Sequence, residues 1–276
     1  MPISVAVPLP ASMPGLTPEE AEKHKKAFAE QGYFIHRGAV SREKLDVLRA
    51  RIAEEFDRAR SNGQLFSGGG LLSGHLNCFP GAESRFVHER LREIGLIDLI
   101  RELHPASVRA PNVGLNFNLP GSVKQHCHAD RPFTQEFMIA NIAVVDTELV
   151  NGAIEVCPGT HRKFYPFWRF ALESPRAVRL PMQQGDVLVR SSNLWHRGMP
   201  NLSTVARPMM ALTWEDGGSL QEDPFAAEGG RITFRPNWYR PNLLGRLRER
   251  TFIAVPISYS AYRFTRSLVG NKGYDH

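Results

Sequence analysis

The chain has 276 residues, 42% of them hydrophobic and 22% charged, with a formal net charge of +6. That length supports one large domain or two small ones, and its longest apolar runs, such as FMIANIAVV, fall far short of the roughly 20 residues that span a membrane as a helix. Three cysteines without a CxxC pair exclude a disulfide framework and a zinc ribbon, and they fit a reducing, cytoplasmic setting.

The opening MPISVAVPLPASMPGL lacks a basic segment and is broken by prolines, so residues 1–16 read as an extended arm rather than a signal peptide. Thr17, Pro18 and Glu20 form a capping-box start, and Gly32 a stop, for a first helix. YFIHRGAV follows as a short strand. Ser41 can cap a second helix, whose Leu45, Leu48, Ile52, Phe56 and Ala59 recur at steps of three and four and so share one face. Residues 62–86, NGQLFSGGGLLSGHLNCFPGAESRF, are too glycine-rich and irregular for an element and predict a long loop of the kind used as a lid. GLIDLIRELH predicts a third helix.

Beyond residue 109 the texture changes. VGLNFNL, AIEVC, DVLVRSS and RPMMALTW are short strand-like runs, separated by the turn sequences LPGS, NG, CPGT and MPNLS. Repetition of this kind predicts a double-sheet fold such as a jelly roll. With no repeat and no linker, the chain reads as one domain, mainly β with flanking α-helices. It divides into a mostly helical flank over 17–109, a β-core over 110–217 and a C-terminal extension over 218–276.

The chemistry concentrates in VKQHCHADRPF. On an extended strand, alternate side chains share a face, so His126, His128 and Asp130 could all reach one ion, and strand geometry alone does not choose between the two histidines. Two histidines and one carboxylate leave three positions open on an octahedral metal, the arrangement suited to non-haem Fe(II). A third ligand is available in His196, at the end of a β-rich run. The strand–turn–strand sequence that follows can bring Arg207 back beside it, and an arginine fork is the natural partner of a carboxylate held through both oxygens.

At this point the chain resembles the phytanoyl-CoA dioxygenase family of Fe(II)- and 2-oxoglutarate-dependent oxygenases. The likeness rests on His128-x-Asp130, on NGAIEVCPGTHR, on GDVLV, on His196 with Arg207 eleven residues later, and on the opening EQGYFIHRGAVSREKLDVLRARI. It implies a double-stranded β-helix, the cupin-like jelly roll, with Fe(II) on His128, Asp130 and His196. It further implies 2-oxoglutarate anchored by Arg207, with O2 as the other cosubstrate. Asn118, Asn116 and Gln125 become candidate cosubstrate contacts. His126 becomes a candidate substrate contact or support for the ligands, and Trp195 a neighbour of the site that packs beside it or touches substrate. Halogenating members of the wider group carry a small residue at the carboxylate position, so Asp130 implies hydroxylation, with release of succinate and CO2.

Two rival readings share the barrel: a catalytically inactive metal-binding module and a non-oxidative cupin-type metalloenzyme. Neither needs Arg207. The expected substrate is a small or carrier-linked organic molecule, and the positive charge is compatible with an anionic group on it. Outside the C-terminal region the basic residues form no dense tract, so nucleic acid is not expected as a partner. Loops over 64–86, 163–177 and 215–238 are the expected lids. The tail FIAVPISYSAYRFTRSLVGNKGYDH should pack across the core or at a homodimer interface, with a membrane surface or acyl carrier as the sharper alternative. His161 reads as a loop stabiliser, and Cys127 and Cys157 as small buried hydrophobes.

Overall fold

Thr17 caps the first helix, α1 (Pro18–Gln31), with the reciprocal Glu20 hydrogen bonds of a capping box, and Gly32 ends it in a left-handed conformation. The computed structural model describes residues 15–62, 73–235 and 243–269. The expected arm up to residue 14, residues 64–72 of the first lid, residues 236–238 of the third and residues 270–276 of the tail lie outside this description, as do residues 63 and 239–242. β1 (Tyr33–His36) leads to α2 (Arg42–Ser61), capped by Ser41, and its Leu45, Leu48, Ile52 and Ala59 are buried as their spacing predicts.

The expected loop over 62–86 is corrected by the structure. It contains β2 (His75–Phe79), and α3 (Arg85–Glu93) begins at its end, ahead of α4 (Leu96–Leu103). HLNCF alternates polar and apolar residues as a half-buried strand should, but glycines on its N-terminal side mask the pattern. Then come β3 (Asn112–Asn118), β4 (Met138–Ala143), β5 (Glu155–Val156), α5 (Phe167–Glu173), β6 (Val178–Arg179), β7 (Val187–Ser191), β8 (His196–Arg197), β9 (Arg207–Thr213) and β10 (Thr233–Arg235). Two helices close the described chain, α6 (Leu243–Ala254) and α7 (Pro256–Leu268).

The strands form two antiparallel sheets of a jelly roll. The larger runs β1-β7-β4-β9-β3-β2-β10 and the smaller β6-β5-β8. Strand alternation sorts the core into layers. Val187 and Val189 of β7, with Leu115, Phe117, Met210 and Leu212, pack outward against α2, α3 and α4. Leu188, Met209 and Ala143 point the other way, between the sheets, onto Ile154, Val156, Leu180 and Met182. On the far side of the small sheet, Cys157, Tyr165, Phe167 and Trp195 form a third cluster, with Phe264 of α7 against it. Full burial of each such Leu, Ile or Phe contributes about 1.5–3 kcal/mol. No helix among the described residues is long and apolar enough to cross a membrane.

Candidate active site

His128 and His196 meet through an isolated antiparallel bridge, each donating its backbone N–H to the other's carbonyl at 2.9 Å. Asp130 follows on the same face, its N–H bonded to Ser192 O at 3.0 Å. One donor atom from each of the three lies within 4.8 Å of those of the other two, the only such His/Cys/Asp/Glu group among the described residues. His128 Nδ1 stands 2.7 Å from His126 O, and His196 Nδ1 2.9 Å from Leu194 O. A carbonyl can only accept, so both Nδ1 atoms carry the proton and both Nε2 lone pairs face the cluster, the tautomer a metal requires. Burial lowers the His196 pKa to about 3 and lowers that of His128, so both rings are neutral at physiological pH.

The carboxylate is held from behind. Asp130 Oδ1 is 3.6 Å from His196 Nε2 and 4.0 Å from His128 Nε2, while Oδ2 accepts from Arg190 Nη1 at 2.7 Å. Arg190 is fixed in turn by Nε donating to Asn141 Oδ1 at 3.0 Å. Burial pushes the Asp130 carboxyl up, but Arg190 and then the two histidines overcome this and hold it well below the usual carboxylate range.

A second group of buried polar residues lies on one rung of the large sheet. His75, Asn118 and Arg207 are successive register partners across β2, β3 and β9. All three are buried, and His75 Nδ1, Asn118 Oδ1 and Arg207 Nε have no hydrogen-bond partner among the described residues. Arg207 Nη2 donates to Gly152 O at 3.2 Å, and Arg207 forms no ion pair among the described residues; burial lowers its pKa to about 10, leaving it charged. Gly152 of the NG motif makes this packing possible. Its φ is +89°, and a Cβ there would sit 2.6 Å from Met199 O and 2.8 Å from Asn118 Nδ2.

The phytanoyl-CoA dioxygenase (PhyH) family model matches residues 28–209. The chain belongs to the phytanoyl-CoA dioxygenase family. It is 32% identical over 97 residues to the dioxygenase lolE1 of Epichloe uncinata, a match that covers 32% of this chain and 38% of lolE1. Among solved structures it resembles the non-heme alpha ketoglutarate dependent carbocyclase SnoK (TM-score 0.54, 16% identity, 70% of this chain and 84% of SnoK). It also resembles the epimerase SnoN in complex with Fe3+, alpha ketoglutarate and nogalamycin RO (TM-score 0.52, 18% identity, 71% and 84%). At these identities the structural likenesses establish the jelly-roll fold.

The residues fit the cofactor and cosubstrate of the phytanoyl-CoA dioxygenase family. The two Nε2 lone pairs and one carboxylate could hold a divalent metal. A buried guanidinium without an acidic partner suits an incoming carboxylate. Of the other residues singled out in the sequence, Asn116 lies one inward-facing position along β3 from Asn118. Gln125 is engaged with the backbone, its Oε1 accepting from Gly198 N at 2.8 Å. His126 packs its ring 4.2 Å from that of Tyr259 on α7 and is not part of the ligand group. Trp195 occupies the third cluster, its ring 3.9 Å from Phe170 and nearly parallel to it, which makes it a packing residue behind the site. His161 packs its ring against Phe28 and Gly32.

Sequence reasoning missed His75 and Arg190. His75 was hidden in the glycine-rich stretch, although the alternation of HLNCF places it facing inward with Asn77. The signal for Arg190 was a lone charge in the otherwise uncharged strand VLVRS.

Proposed function

We propose that the protein is an Fe(II)- and 2-oxoglutarate-dependent dioxygenase that hydroxylates an unactivated C–H bond of a small organic substrate, releasing succinate and CO2. The observation that carries this reading is Arg207: a charged, buried guanidinium with no ion pair among the described residues, on the strand rung it shares with Asn118 and His75. Neither a metal-storage module nor a non-oxidative cupin enzyme has a use for such a group. Family membership supports the same conclusion.

In this reading His128 Nε2, Asp130 and His196 Nε2 hold the metal. Arg207 takes the remote carboxylate of 2-oxoglutarate, with Asn118 and His75 beside it on the same rung. Iron and 2-oxoglutarate together supply the oxidising chemistry, with O2 as the oxidant. Asp130 fills the ligand position that halogenating relatives leave vacant, which favours hydroxylation. The substrate would lie along the inward face of β3 and β9, where Asn112, Gly114 and Asn116 stand next to Ala211 and Thr213. A Cβ built on Gly114 meets no atom within 4 Å, so there is room at that point. Three free cysteines support a cytoplasmic setting.

The test is anaerobic addition of Fe(II) and 2-oxoglutarate to the wild type and to His128→Ala. The wild type should develop the visible iron-to-cosubstrate charge-transfer band, and the variant should not. A wild type without the band refutes the cosubstrate assignment. Succinate release across a panel of neutral, anionic and carrier-linked candidates then sorts the substrate class.

A further inference from the structure

A carboxylate can bind a metal through one oxygen or through two. If Asp130 bound through both, it would take one of the three positions that a facial set of two histidines and one carboxylate leaves open, and a bidentate cosubstrate together with O2 needs all three. Something must therefore hold the second oxygen away. Asp130 Oδ1 faces both histidine Nε2 atoms, and Oδ2 is bonded to Arg190 Nη1 at 2.7 Å.

Arg190 is built to hold that position. Its backbone lies inside the large sheet, opposite Tyr33 of β1 on one side and Ile139 of β4 on the other, so its base cannot drift. Its Nε is tied to Asn141 Oδ1 at 3.0 Å, and its side chain is only 6% exposed. A planar guanidinium with two fixed hydrogen bonds has its remaining freedom largely removed. Lysine, a compact ammonium on a flexible stem, lacks the rigid planar fork that fixes both contacts at once.

We propose that Arg190 is a positioning residue: by retaining Asp130 Oδ2 it restricts the carboxylate to one metal-facing oxygen and keeps a coordination position open for 2-oxoglutarate. This rests on the metal and cosubstrate reading above and adds a residue to it. The same contact withdraws negative charge from Asp130. Arg190 therefore weakens the bare metal's hold while favouring the cosubstrate, and the two effects have opposite signs.

Those opposite signs separate positioning from plain structural support. Arg190→Met, Arg190→Lys and the wild type are titrated anaerobically with Co(II) alone, and then with 2-oxoglutarate at saturating Co(II), following the cobalt absorption bands and, by X-ray absorption, the short metal-to-carbon distance that marks a chelating carboxylate. Arg190→Met should bind Co(II) as tightly as the wild type or more tightly, show that short distance, and bind 2-oxoglutarate at least tenfold more weakly. Arg190→Lys should recover part of the cosubstrate affinity. Parallel loss of both affinities, or an unchanged 2-oxoglutarate affinity, overturns the proposal while leaving the cofactor assignment standing. A wild type that binds neither ligand overturns both. Should Arg190→Met not fold, Asn141→Ala, which frees only the Nε anchor, should weaken 2-oxoglutarate binding severalfold at unchanged Co(II) affinity, and no change there also overturns the proposal.

Discussion

Asn118 and Arg207 face one another across β3 and β9, and each keeps a buried polar atom that no group among the described residues satisfies. An unsatisfied buried donor or acceptor costs about 1–3 kcal/mol, more when charged. At Arg207 the unmet group is the Nε donor, and a ligand carboxylate arriving there would satisfy it, whereas Asn118 Oδ1 calls for a donor.

Arg207→Met tests this directly. Removing an uncompensated buried charge should lower the unfolding free energy of the ligand-free protein by no more than about 1 kcal/mol. The stabilisation by 2-oxoglutarate, about 2.7 kcal/mol at a hundred times its wild-type dissociation constant, should vanish. Denaturant melts with and without 2-oxoglutarate read both numbers, and a large loss of stability in the ligand-free protein would make Arg207 structural.

Gly152→Ala should damage the same seat from its covering loop. The added Cβ meets the Met199 carbonyl and the Asn118 amide in a backbone conformation that disfavours alanine, at a cost of about 1–3 kcal/mol. Cosubstrate affinity should fall with it, because Gly152 O is the acceptor of Arg207. Calorimetric titration with 2-oxoglutarate at saturating metal measures the loss; an unchanged affinity would detach the NG motif from the site.

Trp195→Ala should cost stability without altering substrate recognition. Its ring stacks on Phe170 at 3.9 Å, and loss of a buried Trp costs about 3–5 kcal/mol. Trp195→Phe should retain the wild-type KM for the substrate, since the ring lies in the cluster on the far side of the small sheet. A KM shift in the Phe variant would return Trp195 to the pocket wall.

Acidification should weaken the metal-free fold before any carboxylate is titrated. His24 Nε2 lies 3.2 Å from His36 Nδ1, and its ring stacks on Phe34. Burial, with the charge of His36 second, lowers the His24 pKa to about 4, although Glu20 pulls it upward; burial lowers His36 as well. In the unfolded chain both rings titrate near about 6.5, so below that pH the unfolded state binds more protons. Stability is therefore complete above about pH 6.5 and declines as pH falls toward the folded values. His24→Phe, which preserves the stacking, should flatten the decline by about one proton, read from urea midpoints between about pH 7.5 and 4.5 in chelator.

Local rules made α1, α2 and most of the strands legible, because caps and periodicity are properties of neighbours in sequence. β4 is buried at every position, so its run, apolar except for Asn141, carries no alternation to read. The His128, Asp130 and His196 cluster was legible only by joining the first two to a histidine far along the chain. His126 and His128 were equivalent by alternation; what separates them is the bridge to His196 for one and the Tyr259 ring for the other. Arg190 was illegible as a functional residue because a strand arginine has no meaning until its partner, sixty positions away in sequence, is known to lie beside it.

The two ends of the site are secured very differently. The Arg207 end is woven into consecutive hydrogen-bonded ladders, and displacing it would mean unzipping the large sheet. His128 belongs to no strand and meets His196 through a single bridge, with α7 buttressing the segment behind it, where Arg263 donates to Cys127 O at 2.7 Å. Any give on ligand binding should therefore be found at the His128–His196 end, which leans on a helix that lies beyond the family-matched region.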